Sequence, residues 1–179
     1  MITFKQLVIG FLKSIGGMIV GATLVTLWLR IMCFDFTMKD LYIVLAIVLA
    51  WPALEYCAHR YLMHEWVWTP FKFTHTRHHS NPVPSTGLPD AWIVFTYWVL
   101  SWILLYTTSG IYTAYTTILC MLLWYEFAHY ACHTSYKPKT WWGYAIKANH
   151  LQHHKELPSR YALLFPIIKV VSTEVKNEI

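Results

Sequence analysis

Four apolar runs dominate this chain: "SIGGMIVGATLVTLWLRIMCF" at 14–34, "LYIVLAIVLAWPALEYCA" at 41–58, "AWIVFTYWVLSWILLYT" at 91–107 and "IYTAYTTILCMLLWYEFA" at 111–128. Each is long enough to cross a bilayer as a helix, which takes roughly 17–25 residues. Within lipid a single segment satisfies its backbone polar groups only by being helical. The runs therefore predict an all-α integral membrane protein with about four transmembrane helices, built as one domain over residues 1–179. Composition agrees: 56% of residues are hydrophobic and only 13% charged, where soluble domains carry about 25% charged residues.

Several details refine this expectation. The first run can start earlier, with Lys13 snorkelling, and no small-residue cleavage site follows it, so it reads as a retained anchor. Pro52 should kink the second run. Only "TSG" separates the third from the fourth, which makes them a helical hairpin. The four cysteines (Cys33, Cys57, Cys120, Cys132) show no CxxC, and no disulfide is expected.

Four spans place the N-terminus, the 59–90 segment and the C-terminal tail on one side. That side holds twelve of the fourteen Lys and Arg; the other holds Arg30 and Lys39 together with Asp35 and Asp40. By the positive-inside rule the lysine-rich side is cytoplasmic. The net charge of +5 thus reads as topology. The basic residues are spread too thinly for a nucleic-acid partner.

All ten histidines lie on that same side, in four groups: His59 and His64; His75, His78 and His79; His129 and His133; His150, His153 and His154. On a helix, residues three or four apart share a face. His129 and His133 should point together, and so should the members of "HTRHH" (75–79) and of "HLQHH" (150–154). His59 and His64 are five apart. They need either a tilt at the end of the second span or two different metals to serve.

A lone histidine pair at helical spacing is commonly an exposed or hydrogen-bonded pair. Four groups that hold every histidine of the chain, gathered at span ends and in the tail, point instead to a metal site. Neutral imidazole is the commonest side-chain metal ligand. One metal takes about four to six ligands, so ten imidazoles imply two. A nitrogen-rich set with open positions suits iron and O2 chemistry better than a closed structural zinc site. Glu55 lies four residues before His59, and Glu126 three before His129. Each is a candidate ligand, a candidate acceptor fixing a histidine tautomer, or a polar group at the membrane edge.

At "EYCAHRYLMH" (55–64), "HTRHH" (75–79), "YEFAHYACH" (125–133) and "NHLQHH" (149–154) the chain resembles the integral-membrane fatty acid hydroxylase superfamily, which includes sterol desaturases and carotenoid hydroxylases. The resemblance runs over about residues 51–156 and is strongest to the fatty acid hydroxylase branch. It implies a two-iron centre under a histidine-rich cytoplasmic cap, with zinc able to occupy the same ligands on isolation. The expected ligands are His59, His64, His75, His78, His79, His129, His133, His150, His153 and His154, with their division between the two metals left open. The implied reaction uses O2 and two electrons to hydroxylate a lipid C–H bond, above all on a fatty acyl chain. A carotenoid β-ring hydroxylase or a sterol desaturase is the alternative on the same scaffold.

The resemblance further implies a lipid substrate drawn from the bilayer and a separate electron donor, of cytochrome b5 or ferredoxin type with its reductase. Lys137, Lys139 and Lys147 are candidate docking residues for that donor, although topology and lipid headgroups are the favoured explanation of the same lysines. The membrane would be the endoplasmic reticulum of a eukaryote or the inner membrane of a bacterium. After the last histidine group the chain runs "KELPSRYALLFPIIKVV", with neither the Gly-containing turn nor the Trp-Asp that family members often carry.

The remaining segments are connectors. "SNPVPSTGLPD" (80–90) is a stiff irregular loop. "TSYKPKTWWGYAIKAN" (134–149) has the Trp and Lys mixture of an interfacial segment. "YALLFPIIKVV" (161–171) is too short to span and is expected to lie on or re-enter the membrane. A metal transporter or a non-catalytic lipid-binding relative is the competing class. A transporter, however, should carry polar ligands near the middle of its spans, whereas these histidines sit at the ends.

Overall fold

Seven α-helices, and no strand among the described residues, make up a computed structural model that describes residues 1–65, 70–82, 91–155 and 161–165. The helices are α1 (Phe4–Lys13), α2 (Ile15–Cys33), α3 (Met38–Cys57), α4 (Pro70–Ser80), α5 (Ala91–Ile103), α6 (Ser109–Cys132) and α7 (Trp141–Lys155). A π-helical segment, Ala58–Glu65, continues α3, and a 3-10 turn, Leu104–Tyr106, ends α5. The all-α expectation holds.

The apolar runs become helices, with adjusted ends. The first run does not extend back through Lys13. The chain breaks at Ser14, whose extended backbone closes α1 and opens α2. The Ser14 hydroxyl donates to the Phe11 carbonyl at 2.6 Å and accepts from the Gly16 amide at 3.1 Å, so it caps both helices at once. This break lets α1 fold back onto α6, where Leu7 and Phe11 bury against Tyr130. The approach is close. A Cβ on Gly10 would lie 2.6 Å from the Tyr130 hydroxyl, and only glycine fits there.

Two helical stretches, Ile15–Cys33 and Met38–Glu65, are long and apolar enough to cross a membrane. The second runs through Pro52 without interruption. The third run is shorter than its sequence promised. Its α-helix has 13 residues, about 20 Å of rise against a hydrocarbon core of about 30 Å. It then tightens into the 3-10 turn, where the Thr107 hydroxyl donates to the Leu104 carbonyl. Thr108 caps the start of α6, which has 24 residues.

The distribution of side chains is inverted relative to a soluble bundle. Leu24, Trp28, Leu45 and Leu49 face outward, Leu49 with 79% of its surface exposed. Thr23, Thr26, Ser101, Thr113, Thr116 and Thr117 are buried between helices. Each of Thr23, Thr26, Thr116 and Thr117 donates its hydroxyl to the carbonyl four residues back. These small polar residues let the helices approach closely without leaving a group unsatisfied, as helices packing in lipid require.

Helix α6 is the hub: it packs against α1, α2, α3 and α7. At the end remote from the histidines, α2, α3 and α6 are tied by a buried polar lock. Arg30 pairs with Asp40 at 3.1 Å and donates from Nε to the Thr113 hydroxyl at 2.7 Å. Thr113 in turn donates to Asp40 Oδ1 at 2.6 Å, and Ser109 to the same oxygen at 3.1 Å. The two Arg30 NH2 groups reach the carbonyls of Phe34 and Asp35. Removing one member leaves the other buried without its counter-charge, which costs far more than removing both. Asp40→Asn is therefore expected to lower the thermal midpoint in detergent by several degrees. Arg30→Met/Asp40→Leu should recover most of that loss, as followed by circular dichroism melting.

Candidate metal centre

All ten histidines gather at the opposite end of the bundle, where α3, its π extension, α4, α6 and α7 meet. They form two groups of five, and within each group one ring nitrogen per residue lies within 4.8 Å of every other. The first group is His59, His64, His75, His79 and His153. The second is His78, His129, His133, His150 and His154.

The five-residue spacing of His59 and His64, awkward on an α-helix, is resolved by local structure. Both lie on the π-helical segment, whose wider turn repeats its hydrogen bonds at i to i+5. That puts residues five apart on one face, and the two imidazoles serve the same group. The two HxxHH motifs behave differently from the sequence expectation. Their members do not act as trios. From α4, His75 and His79 go to the first group and His78 to the second; from α7, His150 and His154 go to the second and His153 to the first. The i, i+4 pair stays together, and the residue between them, rotated about a third of a turn away, crosses over. Each centre thus takes two ligands from a span end, two from its neighbouring HxxHH and one from the distant HxxHH.

The nitrogens converge. His75 Nε2 lies 2.9 Å from His59 Nε2, 3.0 Å from His64 Nε2 and 3.1 Å from His79 Nε2. In the second group four Nε2 atoms form a ring: His78 to His133 at 3.0 Å, His133 to His150 at 2.7 Å, His150 to His154 at 3.1 Å and His154 to His78 at 3.2 Å. A ring nitrogen offers either one proton or one lone pair, so His75 Nε2 cannot satisfy three nitrogen neighbours by hydrogen bonds. A cation at the focus can. With metal–nitrogen bonds of about 2.1 Å, adjacent ligands of a six-coordinate ion sit about 3.0 Å apart, against about 3.4 Å for a tetrahedral one. The spacings in the two groups, 2.7–3.2 Å between neighbouring nitrogens, are close enough for the five imidazoles of each group to share one cation.

Burial keeps these imidazoles ready for a metal. In each group three rings are buried and two half-buried: His64 and His79 in the first, His133 and His154 in the second. Desolvation, then repulsion by His133, pushes the pKa of His78 down to about 4. Desolvation and the His154 ring push His133 down to about 3, and desolvation with His78 does the same for His154. His75 and His150 are driven further down by the same causes. Near neutral pH the rings stay uncharged, with lone pairs available.

Of the two expected carboxylates, Glu55 is tied to the backbone of residues 163 and 164. Glu55 is buried, but its Oε1 accepts the backbone amides of Leu163 and Leu164, the latter at 2.9 Å, and no imidazole contact defines it as a tautomer-fixing acceptor. The group that does fix a tautomer is one the sequence did not signal. The Tyr161 carbonyl accepts from His59 Nδ1 at 2.7 Å, which leaves Nε2 as the donor atom toward the cage. Glu126 is 1% exposed, on the same helical face as His129. Residues 161–165 do not lie on a membrane surface: Tyr161, Ala162, Leu163 and Leu164 are all buried, the last two in a core cluster with Trp51, Tyr125 and Ile146. Residues 166–171 of that predicted segment, like 83–90 of the predicted loop, fall outside the described residues.

Lys147 is withdrawn from any docking surface. It is 6% exposed, and its ammonium donates to the carbonyls of Thr134 and Tyr136, both at 2.7 Å. Burial lowers its pKa. Lys137 and Lys139 remain at the surface, as do Trp141, Trp142 and Tyr144 at the start of α7.

With this geometry in place, the comparison with known proteins is decisive. The family model described as fatty acid hydroxylase matches residues 44–172. The chain belongs to the fatty acid hydroxylase family. That match spans every histidine and all the elements that carry them. No curated protein and no solved structure matches the chain. Membership in the fatty acid hydroxylase family and the two candidate spans together indicate a membrane enzyme of the hydroxylase and desaturase type, an oxidoreductase whose histidine groups could hold metal.

Two outcomes test the partition and the protonation state. His75→Ala and His78→Ala, three residues apart on one helix, should each empty a different centre, so the double variant loses metal from both. His75→Ala/His153→Ala, far apart in sequence, should lose it from one only; metal analysis of the purified variants reads this directly. The second concerns the metal-free protein. Its histidines have folded pKa values below the unfolded value, so below about pH 6.5 the unfolded chain binds more protons and stability falls. Its melting temperature should therefore drop steadily on acidification from that point, with the stability fully present above it.

Proposed function

We propose that the chain is a multi-pass membrane oxygenase that hydroxylates a lipid C–H bond, acting on a fatty acyl chain. The observation that supports this most is the pair of five-imidazole groups inside a fatty acid hydroxylase domain. An unactivated C–H bond offers no acid or base handle, so the chemistry calls for a redox metal. Bound iron, two ions per chain, would supply that chemistry from O2 and two electrons.

The chain's own residues supply the rest. His59, His64, His75, His79 and His153 would hold one ion, and His78, His129, His133, His150 and His154 the other. Their neutral rings would leave a net positive charge on each bound ion, which favours electron-rich ligands there. Glu126 is read as the acceptor that orients imidazoles of the second centre. Buried Tyr125, Trp51 and Leu163 close off water beneath the cage. In the four-span reading the cage sits at the cytoplasmic surface, in the endoplasmic reticulum of a eukaryote or the inner membrane of a bacterium. A substrate then arrives laterally from the bilayer. Electrons come from a separate donor of cytochrome b5 or ferredoxin type, with the exposed Lys137 and Lys139 as docking residues.

Expression in cells followed by lipid mass spectrometry tests the reading. A lipid heavier by one oxygen atom is expected with the wild-type chain and should vanish with His153→Ala, while the purified wild type carries about two irons. A product lacking two hydrogens would assign desaturation instead. A folded wild-type chain that takes up no metal would overturn the proposal.

A further inference from the structure

Residues 161–165 form a short strap beneath the histidine cage, and its ties are unevenly distributed. Glu55 on α3 holds the strap by the amides of Leu163 and Leu164. Asn149 on α7 donates from Nδ2 to the Ala162 carbonyl at 2.6 Å. One residue earlier, the Tyr161 carbonyl accepts from His59 Nδ1. The Tyr161 ring packs against His59, His64 and His153, with centroids 5.7, 5.2 and 5.5 Å away. All three belong to the first centre. Every histidine recorded against Tyr161 thus serves the same group of five.

Glu55 lies one helical turn before His59 on a continuous helical stretch, yet it reaches the imidazole only through the strap. The carboxyl is buried, and two hydrogen bonds from backbone amides to its Oε1 fix the strap's height relative to α3. A carbonyl placed by that fix then sets the His59 tautomer and ring angle. Because a ligand's outer partner tunes its metal affinity, the hold passes to one metal and not the other.

We propose that Glu55 is a positioning residue for the first centre alone, acting through the 161–165 strap on His59, and that it is not itself a metal ligand. This rests on the reading of the histidine groups as metal sites. Asn149 is the strap's second anchor, and a Gln at position 55 would serve as well as Glu, since its carbonyl oxygen can accept the same two amides.

The test uses the full chain in detergent, loaded anaerobically with ferrous iron, with release into a chelator followed in time. The wild type should release two irons slowly. Glu55→Ala should release one of them at least about tenfold faster and leave the other unchanged, the range expected for loss of an outer-sphere partner. Glu55→Gln should restore slow release of both. In combination, Glu55→Ala should add nothing to His59→Ala, because both act on the same link, but should add fully to His129→Ala, which disturbs the other centre. If Glu55→Ala does not fold, Glu55→Asp, which draws the carboxylate back by one methylene, carries the same expectation. Two irons released at the wild-type rate from Glu55→Ala, or both released equally fast, would overturn this inference while leaving the metal sites standing. A wild type that binds no iron would overturn the reading of the sites themselves.

Discussion

Ten imidazoles pointed at two foci set the terms for the rest of this molecule. Six of the rings are buried, and the Nε2 atoms approach one another to as little as 2.7 Å. Without cations, such an arrangement sets lone pair against lone pair and denies the buried nitrogens most of their hydrogen bonds. With cations, the same spacing becomes favourable. The helices must therefore hold ten crowded imidazoles in register, and they are arranged to do so.

The holding is done from two ends. Helix α6 runs through the middle of the bundle, with His129 and His133 at one end and Thr113, bound to Arg30 and Asp40, near the other. The polar lock fixes the axial position of α2, α3 and α6 relative to one another, and hence the heights at which α3 and α6 deliver their histidines. Around the cage, α7 is set by the Lys147 ammonium on the carbonyls of Thr134 and Tyr136. A lysine that looked like surface charge is in effect a structural cap.

Much of this was legible in the sequence, and what was not has physical reasons. The apolar runs and the four histidine groups are one-dimensional signals, carried by residue type and spacing, and they identify the helices and all ten rings. The partition of ligands is not one-dimensional. Whether His78 turns toward His75 or toward His133 depends on how α4 sits against α6 and α7, which no local pattern encodes. The π-helical turn that unites His59 and His64 is a backbone choice stabilised by what it brings together, so the awkward spacing announced a problem without its solution. Tyr161 was invisible for a related reason: its contribution to His59 is a main-chain carbonyl, and every residue has one. Glu55 was found as a candidate without its route, since a carboxylate one turn from a histidine resembles that histidine's direct partner until the strap is seen between them. Helix α1 was missed because its apolar residues merge with the first run, and only Ser14 separates them.

The crossing of His78 and His153 between the two centres has a consequence for how the protein is made. A chain emerging in order carries, before α7 is complete, four imidazoles of the first group and three of the second. Neither focus then has its full set, and His59 lacks the carbonyl of Tyr161 that orients it. Both groups are therefore completed only late, with the last helix and the strap that follows it, and a chain short of that point holds neither full set of five imidazoles.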